Sequence, residues 1–234
     1  MARVTFYKSL HKGCILHMTR TYTKGYDKSR TLRSGFIFNG QKNQQALRFY
    51  VIKILILFKF NSLPMDHFRI IELLNSNKGV FAHLFAGKGE KEYLWKPEPE
   101  KWCLLEIACH LLDEEREDFR MRVRTTLENP GKLPPSIDPV GWVKTRKYMQ
   151  QDYEKMVGKF LEERSRSVAW LKSLKKPAWT NSYIHPDLGS LSSEHFLANW
   201  LAHDHMHIRQ INRLQYQYLK SMAGGINLSY AGNW

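Results

Sequence analysis

The sequence predicts an all-α protein: a four-helix bundle preceded by a basic N-terminal segment expected to be disordered. Three observations predict it. After Met65, apolar residues recur at helical spacing in four long stretches. Clusters of Pro, Gly, Asn and Ser separate those stretches. Charge changes abruptly at the same methionine: residues 1–64 carry 12 Lys/Arg against one acid, Asp27, whereas residues 65–234 carry 24 against 21.

Residues 1–45 show no sustained period and too little apolar surface to offset their ordering entropy. The apolar run from Ala46 to Phe60 is interrupted by Arg48, Lys53 and Lys59. It is too short and too charged for a span of roughly 20 apolar residues. It also lies too deep in the chain for an ordinary secretory signal. A transit peptide and a basic arm for nucleic acid or membrane both fit residues 1–64. The favoured reading is that translation starts naturally at Met65, so that 1–64 is a non-domain extension and 65–234 is the domain.

The first helix is expected over 66–86, with Phe68, Ile71, Leu74, Phe81 and Leu84 as its apolar residues. Asn75–Gly79 is a weak point, because Asn and Gly are poor helix formers. The second helix starts after Pro99 and stops near Asn129-Pro130-Gly131. Its stripe is Leu105, Ala108, Leu112, Phe119, Val123 and Leu127. A third helix is expected as one rod from Gly141 to Leu174, with Met149, Tyr153, Met156, Phe160, Val168 and Leu171 on one face; Lys175-Lys176-Pro177 ends it. The fourth begins near Ser192, an N-cap candidate, reaches about Met222 and ends at Gly224-Gly225. Stretches 130–140 and 177–191 read as loops, with no strand pairing. Four long amphipathic helices make a bundle the economical architecture.

Composition narrows the function. The formal charge of +14 invites a nucleic-acid reading, but the excess sits before Met65, and 65–234 shows no nucleic-acid motif. No nucleic-acid partner is expected for the domain, and no membrane span. Three scattered cysteines, Cys14, Cys103 and Cys109, form no disulfide framework and no zinc knuckle. A reducing, cytoplasmic setting follows as the expectation.

The fourth helix carries the most informative run, Asn199-Trp-Leu-Ala-His203-Asp-His205-Met-His207-Ile-Arg-Gln210. At about 100° per residue, Phe196, Trp200, Leu201, Ile208, Ile211 and Leu214 form one apolar arc. His203 and His207 project into it one turn apart and can share a metal ion. His205 points elsewhere. A third ligand must come from another helix, and His110 in Ile107-Ala-Cys-His-Leu-Leu is the best candidate. By itself His110 reads as a boundary histidine rather than a ligand. Cys109 reads as a packed small residue, and Asp113-Glu114-Glu115 as a solvated acidic face. Asp204 falls within the apolar arc. It reads equally as a hydrogen-bond acceptor behind a ligand histidine or as the partner of an arginine.

The pieces Trp95-Lys-Pro-Glu-Pro-Glu-Lys-Trp102, Ile107-Ala-Cys-His110-Leu-Leu-Asp113 and His203-Asp-His-Met-His207-Ile-Arg-Gln210 occur in that order. Together they resemble the DinB/YfiT-like superfamily of metalloenzymes over about residues 65–222. The resemblance implies a four-helix bundle with a long crossover connection, often a homodimer. It implies a divalent metal ion (zinc, nickel, iron or manganese) bound by His110, His203 and His207. It further implies a metal-dependent transferase that activates a low-molecular-weight thiol against an electrophilic small molecule. The alternatives are a metal-dependent hydrolase, for which Asp204 or Asp113 would have to serve as base, and a non-catalytic stress or interaction protein with a structural or vestigial metal site.

Overall fold

In a computed structural model, which describes residues 64–232, the first helix, α1 (His67–Phe85), starts at a cap. Asp66 accepts a hydrogen bond from the Arg69 backbone N–H at 2.9 Å, satisfying one of the donors a helix start leaves open. The Asn75–Gly79 stretch does not interrupt the helix, because Asn77 is buried and bonded inside the bundle. Phe68, expected on the apolar face, is instead exposed. The expectations for residues 1–63, including their reading as an extension before a natural start and the apolar run 46–60, fall outside the described residues.

A single turn, α2 (Glu90–Tyr93), leads to the Trp95–Trp102 segment. Next, α3 (Leu104–Glu114) runs through a π-helical turn (Glu115–Phe119) into α4 (Arg120–Glu128), so that 104–128 form one rod. The rod ends as expected at Asn129-Pro130-Gly131, where Gly131 takes a φ of 86° that suits glycine.

The third helix is not the single rod expected from Gly141 to Leu174. It divides into α5 (Pro139–Thr145), a 3₁₀ turn (Tyr148–Gln150) and α6 (Tyr153–Ser173). Two local devices make the break. Lys147 sits in the left-handed region at φ 50°, and Asp152 caps α6 by accepting from the Lys155 N–H at 2.7 Å. The break turns Arg146 and Tyr148 onto the preceding helix, where each reaches Asp113, at 2.8 and 2.7 Å. Met149, expected on the buried stripe, is largely exposed.

A second correction concerns 177–191, read as loop. It contains an antiparallel hairpin, β1 (Ser182–His185) with β2 (Gly189–Ser192), in which Tyr183 lies opposite Leu191. Four-residue strands are too short for an alternation to register in the sequence. Both Tyr183 and Leu191 are buried, and Tyr183 stacks on Phe196 at 6.0 Å. The last long helix, α7 (Ser193–Met222), begins where Ser192 Oγ accepts from the His195 N–H at 3.2 Å. It stops before Gly224 and Gly225, both at positive φ.

In the bundle, α1 packs against α6 and α7, and the 104–128 rod packs against the same two. α1 and the rod therefore stand diagonally opposed, as do α6 and α7, and the connections within these two pairs cross an end of the bundle. Two apolar clusters fill the interior. One gathers Phe81, Phe85, Leu104, Ile107 and Phe160; the other gathers Leu74, Phe119, Val123, Leu197 and Trp200. Between them each long helix contributes a buried polar residue: Asn77, Glu115, Arg164 and Asp204. The acidic run Asp113-Glu114-Glu115, read as a solvated face, is buried instead. Two of its three carboxylates lie inside because other elements supply partners. Arg164 and the Trp200 indole N–H bond Glu115, and Tyr148 and Arg146 bond Asp113.

Candidate metal centre

The rod 104–128 and α7 together assemble the centre. His203 and His207 are one turn apart on α7, and His110 faces them from α3. Their Nε2 atoms converge. His203 Nε2 lies 3.4 Å from that of His110 and 3.0 Å from that of His207, and the three ligand atoms lie within 4.8 Å of one another. Nitrogens held about 2.0–2.1 Å from one tetrahedral zinc ion stand roughly 3.4 Å apart, so this spacing fits a shared ion. Hydrogen bonding fits it less well. A ring nitrogen carries either one proton or one lone pair, so His203 Nε2 cannot satisfy both neighbours. A cation between the rings satisfies all three lone pairs.

The rings are neutral at physiological pH. Burial, followed by the neighbouring His207, pushes His110 down to about 3. Burial, then His207, His110 and Arg164, pushes His203 down to about 2. Burial lowers His207 as well, opposed by Gln210 and Asp204. Neutral imidazole is the ligand form. Aromatic side chains hold the rings in place: Trp102 lies 4.8 Å from His110 and Phe119 lies 4.9 Å from His203. Trp102 belongs to the segment singled out in the sequence, which is anchored when Lys96 bonds Glu106 at 2.8 Å and Glu106 accepts from the Cys103 N–H at 2.9 Å. The buried Nδ1 atoms of His110 and His207 have no hydrogen-bond partner among the described residues.

The remaining sequence candidates fall elsewhere. His205 is exposed and outside the cluster. Burial pushes the Cys109 thiol up to about 12 and that of Cys103 up to about 11, so neither offers a thiolate. Asp204, for which two readings stood open, is gripped by Arg164 at 2.6 and 2.7 Å and accepts from Asn77 Nδ2 at 3.1 Å. The arginine reading is the one the structure realises. The sequence reading missed Asn77, Glu115 and Arg164. A signal was present: Arg164 falls between Phe160 and Val168, and Asn77 between Leu74 and Phe81, each at stripe spacing. A polar residue at such a position needs a buried partner.

Comparison with known proteins agrees with this geometry. The family model of the DinB superfamily matches residues 74–211. No curated protein matches the chain. Among solved structures it is similar to YfiT from Bacillus subtilis, described as a probable metal-dependent hydrolase with an unusual four-helix bundle topology. That likeness has a TM-score of 0.60 and 18% sequence identity, and covers 68% of this chain and 91% of that one. The diagonal placement of α1 against the rod and of α6 against α7, the converging histidines and the match across more than half of the chain lead to one statement: this chain belongs to the DinB superfamily.

Proposed function

We propose that the protein is a metal-dependent enzyme in which His110, His203 and His207 hold one divalent ion, and that it transfers a low-molecular-weight thiol to an electrophilic small molecule. The convergence of three neutral Nε2 atoms carries the reading. A divalent ion bound by three imidazoles keeps open positions, where it acidifies a thiol or water and polarises a carbonyl. The protein's own contribution is to keep the three rings in the neutral form and to wall them with Trp102 and Phe119.

Hydrolysis is the second reading, supported by the description of YfiT. The carboxylates favour thiol transfer over it. Asp204 is buried and committed to Arg164 and Asn77, and Asp113 to Tyr148 and Arg146. Neither is free to take a proton from water, whereas a thiol brings an acidic proton of its own. The test is an assay of metal-loaded protein against thiol-plus-electrophile pairs and against ester and amide panels. Turnover confined to the esters or amides would overturn thiol transfer. Turnover of neither class would leave the structural metal site as the better account.

Two further readings accompany this one. A C2 homodimer is the commonest closed arrangement, and Met206, Leu219 and Met222 are apolar and exposed on α7; light scattering that gives a monomer mass at high concentration would reject it. A reducing, cytoplasmic setting is supported by the free thiols of Cys103 and Cys109. No helix among the described residues is long and apolar enough to cross a membrane.

A further inference from the structure

We infer that the groove along the C-terminal half of α7 binds a small organic oxyanion, a molecule bearing a carboxylate or phosphate beside an apolar or aromatic body. The inference rests on the reading of the three histidines as the reactive centre, and it names the substrate class that centre would serve. The groove encloses about 1160 Å³ and begins at His207. Its walls include Trp95, Arg209, Gln210, Arg213 and Lys220, and no acidic residue lines it. A molecule seated there lies against one of the three histidines at one end and against cations at the other.

The arginines are what set this groove apart. Elsewhere in the described residues Arg116, Arg120, Arg122, Arg124, Arg146, Arg164 and Arg166 each meet a carboxylate, and the exposed Arg69 stands without one but has no second arginine a turn away. Arg209 and Arg213 form no ion pair among the described residues, although they stand one turn apart on the same helix. Like charges at that spacing destabilise a free helix. The helix dipole accounts for Lys220, which lies in the last turn, but not for two arginines in the middle of α7. A bound oxyanion compensates both guanidinium groups, whose forked donors match carboxylate and phosphate oxygens. Trp95 is held by an edge contact with Tyr218 at 5.5 Å and presents a ring to the organic part.

The experiment is a calorimetric titration of the full chain with benzoate and with phenyl phosphate, using benzamide as the uncharged control. Benzoate or phenyl phosphate should bind at about 1 mM or tighter, with benzamide clearly weaker. The double variant Arg209→Gln/Arg213→Gln, altered only at exposed positions, should weaken binding of the anions about tenfold or more. Arg69→Gln, at an exposed arginine outside the groove, should leave anion binding in place. Undiminished binding in the double variant overturns the inference. So does a single-stranded oligonucleotide that binds more tightly than both small anions and loses its affinity in the same variant, since the stripe would then be a nucleic-acid surface. A zinc titration separates this inference from the metal reading. Zinc uptake without anion binding defeats the groove alone, whereas anion binding that needs both arginines in a chain taking up no zinc supports the groove and defeats the metal reading.

Discussion

Arg164 grips Asp204 with two hydrogen bonds, 2.6 and 2.7 Å long, in the middle of the bundle, and Asp204 adjoins His203 in the chain. Both side chains are almost wholly inaccessible to solvent. Arg164 also bonds Glu115 through Nε at 3.0 Å, and Glu115 receives the Trp200 indole N–H at 3.0 Å. Asn77 completes the layer. One polar residue from each long helix therefore meets the others, and the α7 turn that carries His203 and His207 is held by that junction.

Removing the arginine should be severe. Arg164→Met leaves two buried carboxylates without their cation, a loss of about 3–5 kcal/mol. Urea denaturation measures it, and a loss under about 1 kcal/mol would show that the layer relaxes or hydrates.

Asp204→Asn separates stability from metal binding. None of His110, His203 and His207 is hydrogen-bonded to Asp204 in the structure, so on the proposed reading zinc affinity should fall by less than the roughly 10–100-fold seen when a partner that bonds a ligand is removed. Stability should fall more clearly, because Arg164 loses a bidentate partner. A calorimetric zinc titration showing a larger affinity loss would mean that Asp204 acts on the histidines directly.

His203→Ala, His207→Ala and His110→Ala should each strip the metal, whereas His205→Ala should not. Three Nε2 atoms converge and the fourth imidazole is exposed. Losing one ligand of three should exceed the ~10–100-fold effect of an outer partner. Metal content of folded variants, checked by circular dichroism, tests this. Full retention in His110→Ala would leave the α7 pair standing and refute the three-histidine site.

Acid should destabilise the metal-free protein early. With His110 held at about 3 and His203 at about 2, the folded state resists protonation that the unfolded chain accepts below about 6.5. This contribution is present above pH 6.5 and is lost as pH falls from there toward the folded values, at up to ~1.4 kcal/mol per pH unit for each ring. The Tm of apo-protein between pH 7.5 and 4.5 should therefore fall less steeply in His203→Phe than in the wild type. Equal slopes would contradict the burial argument.

Glu114 gives the opposite sign. Burial, then Asp118, raises its carboxyl to about 8. A raised folded pKa favours the protonated fold, so its contribution is complete below about pH 4.5 and lost as pH rises through 8. Glu114→Gln keeps the neutral form and should be more stable than the wild type at pH 9, by ~1 kcal/mol or more. A variant no more stable than the wild type at pH 9 would show that Glu114 ionises at little cost.

Much of the site was legible in the sequence alone. A period of 3.6 residues determines which way a side chain points from its own helix axis. That placed His203 and His207 on one face, set His205 apart, and located the caps at Ser192 and at Gly224-Gly225. The same rule assigned the buried stripes of α1, α6 and α7 with few exceptions, Phe68 among them, and it failed at Met149 because the helix breaks there. What the period cannot supply is the neighbour. Asp113 and Glu115 look solvated on an isolated helix, yet they are buried because Arg146, Tyr148, Arg164 and Trp200 arrive from other elements. The break at Lys147 and Asp152 is likewise settled by what Arg146 and Tyr148 gain on Asp113, and the short hairpin by the packing of Tyr183 on Phe196. That His110 meets the α7 pair depended on the crossing of two helices far apart in the chain. Direction is a local property of the backbone, whereas burial and pairing are set by the chain segments that tertiary folding brings alongside.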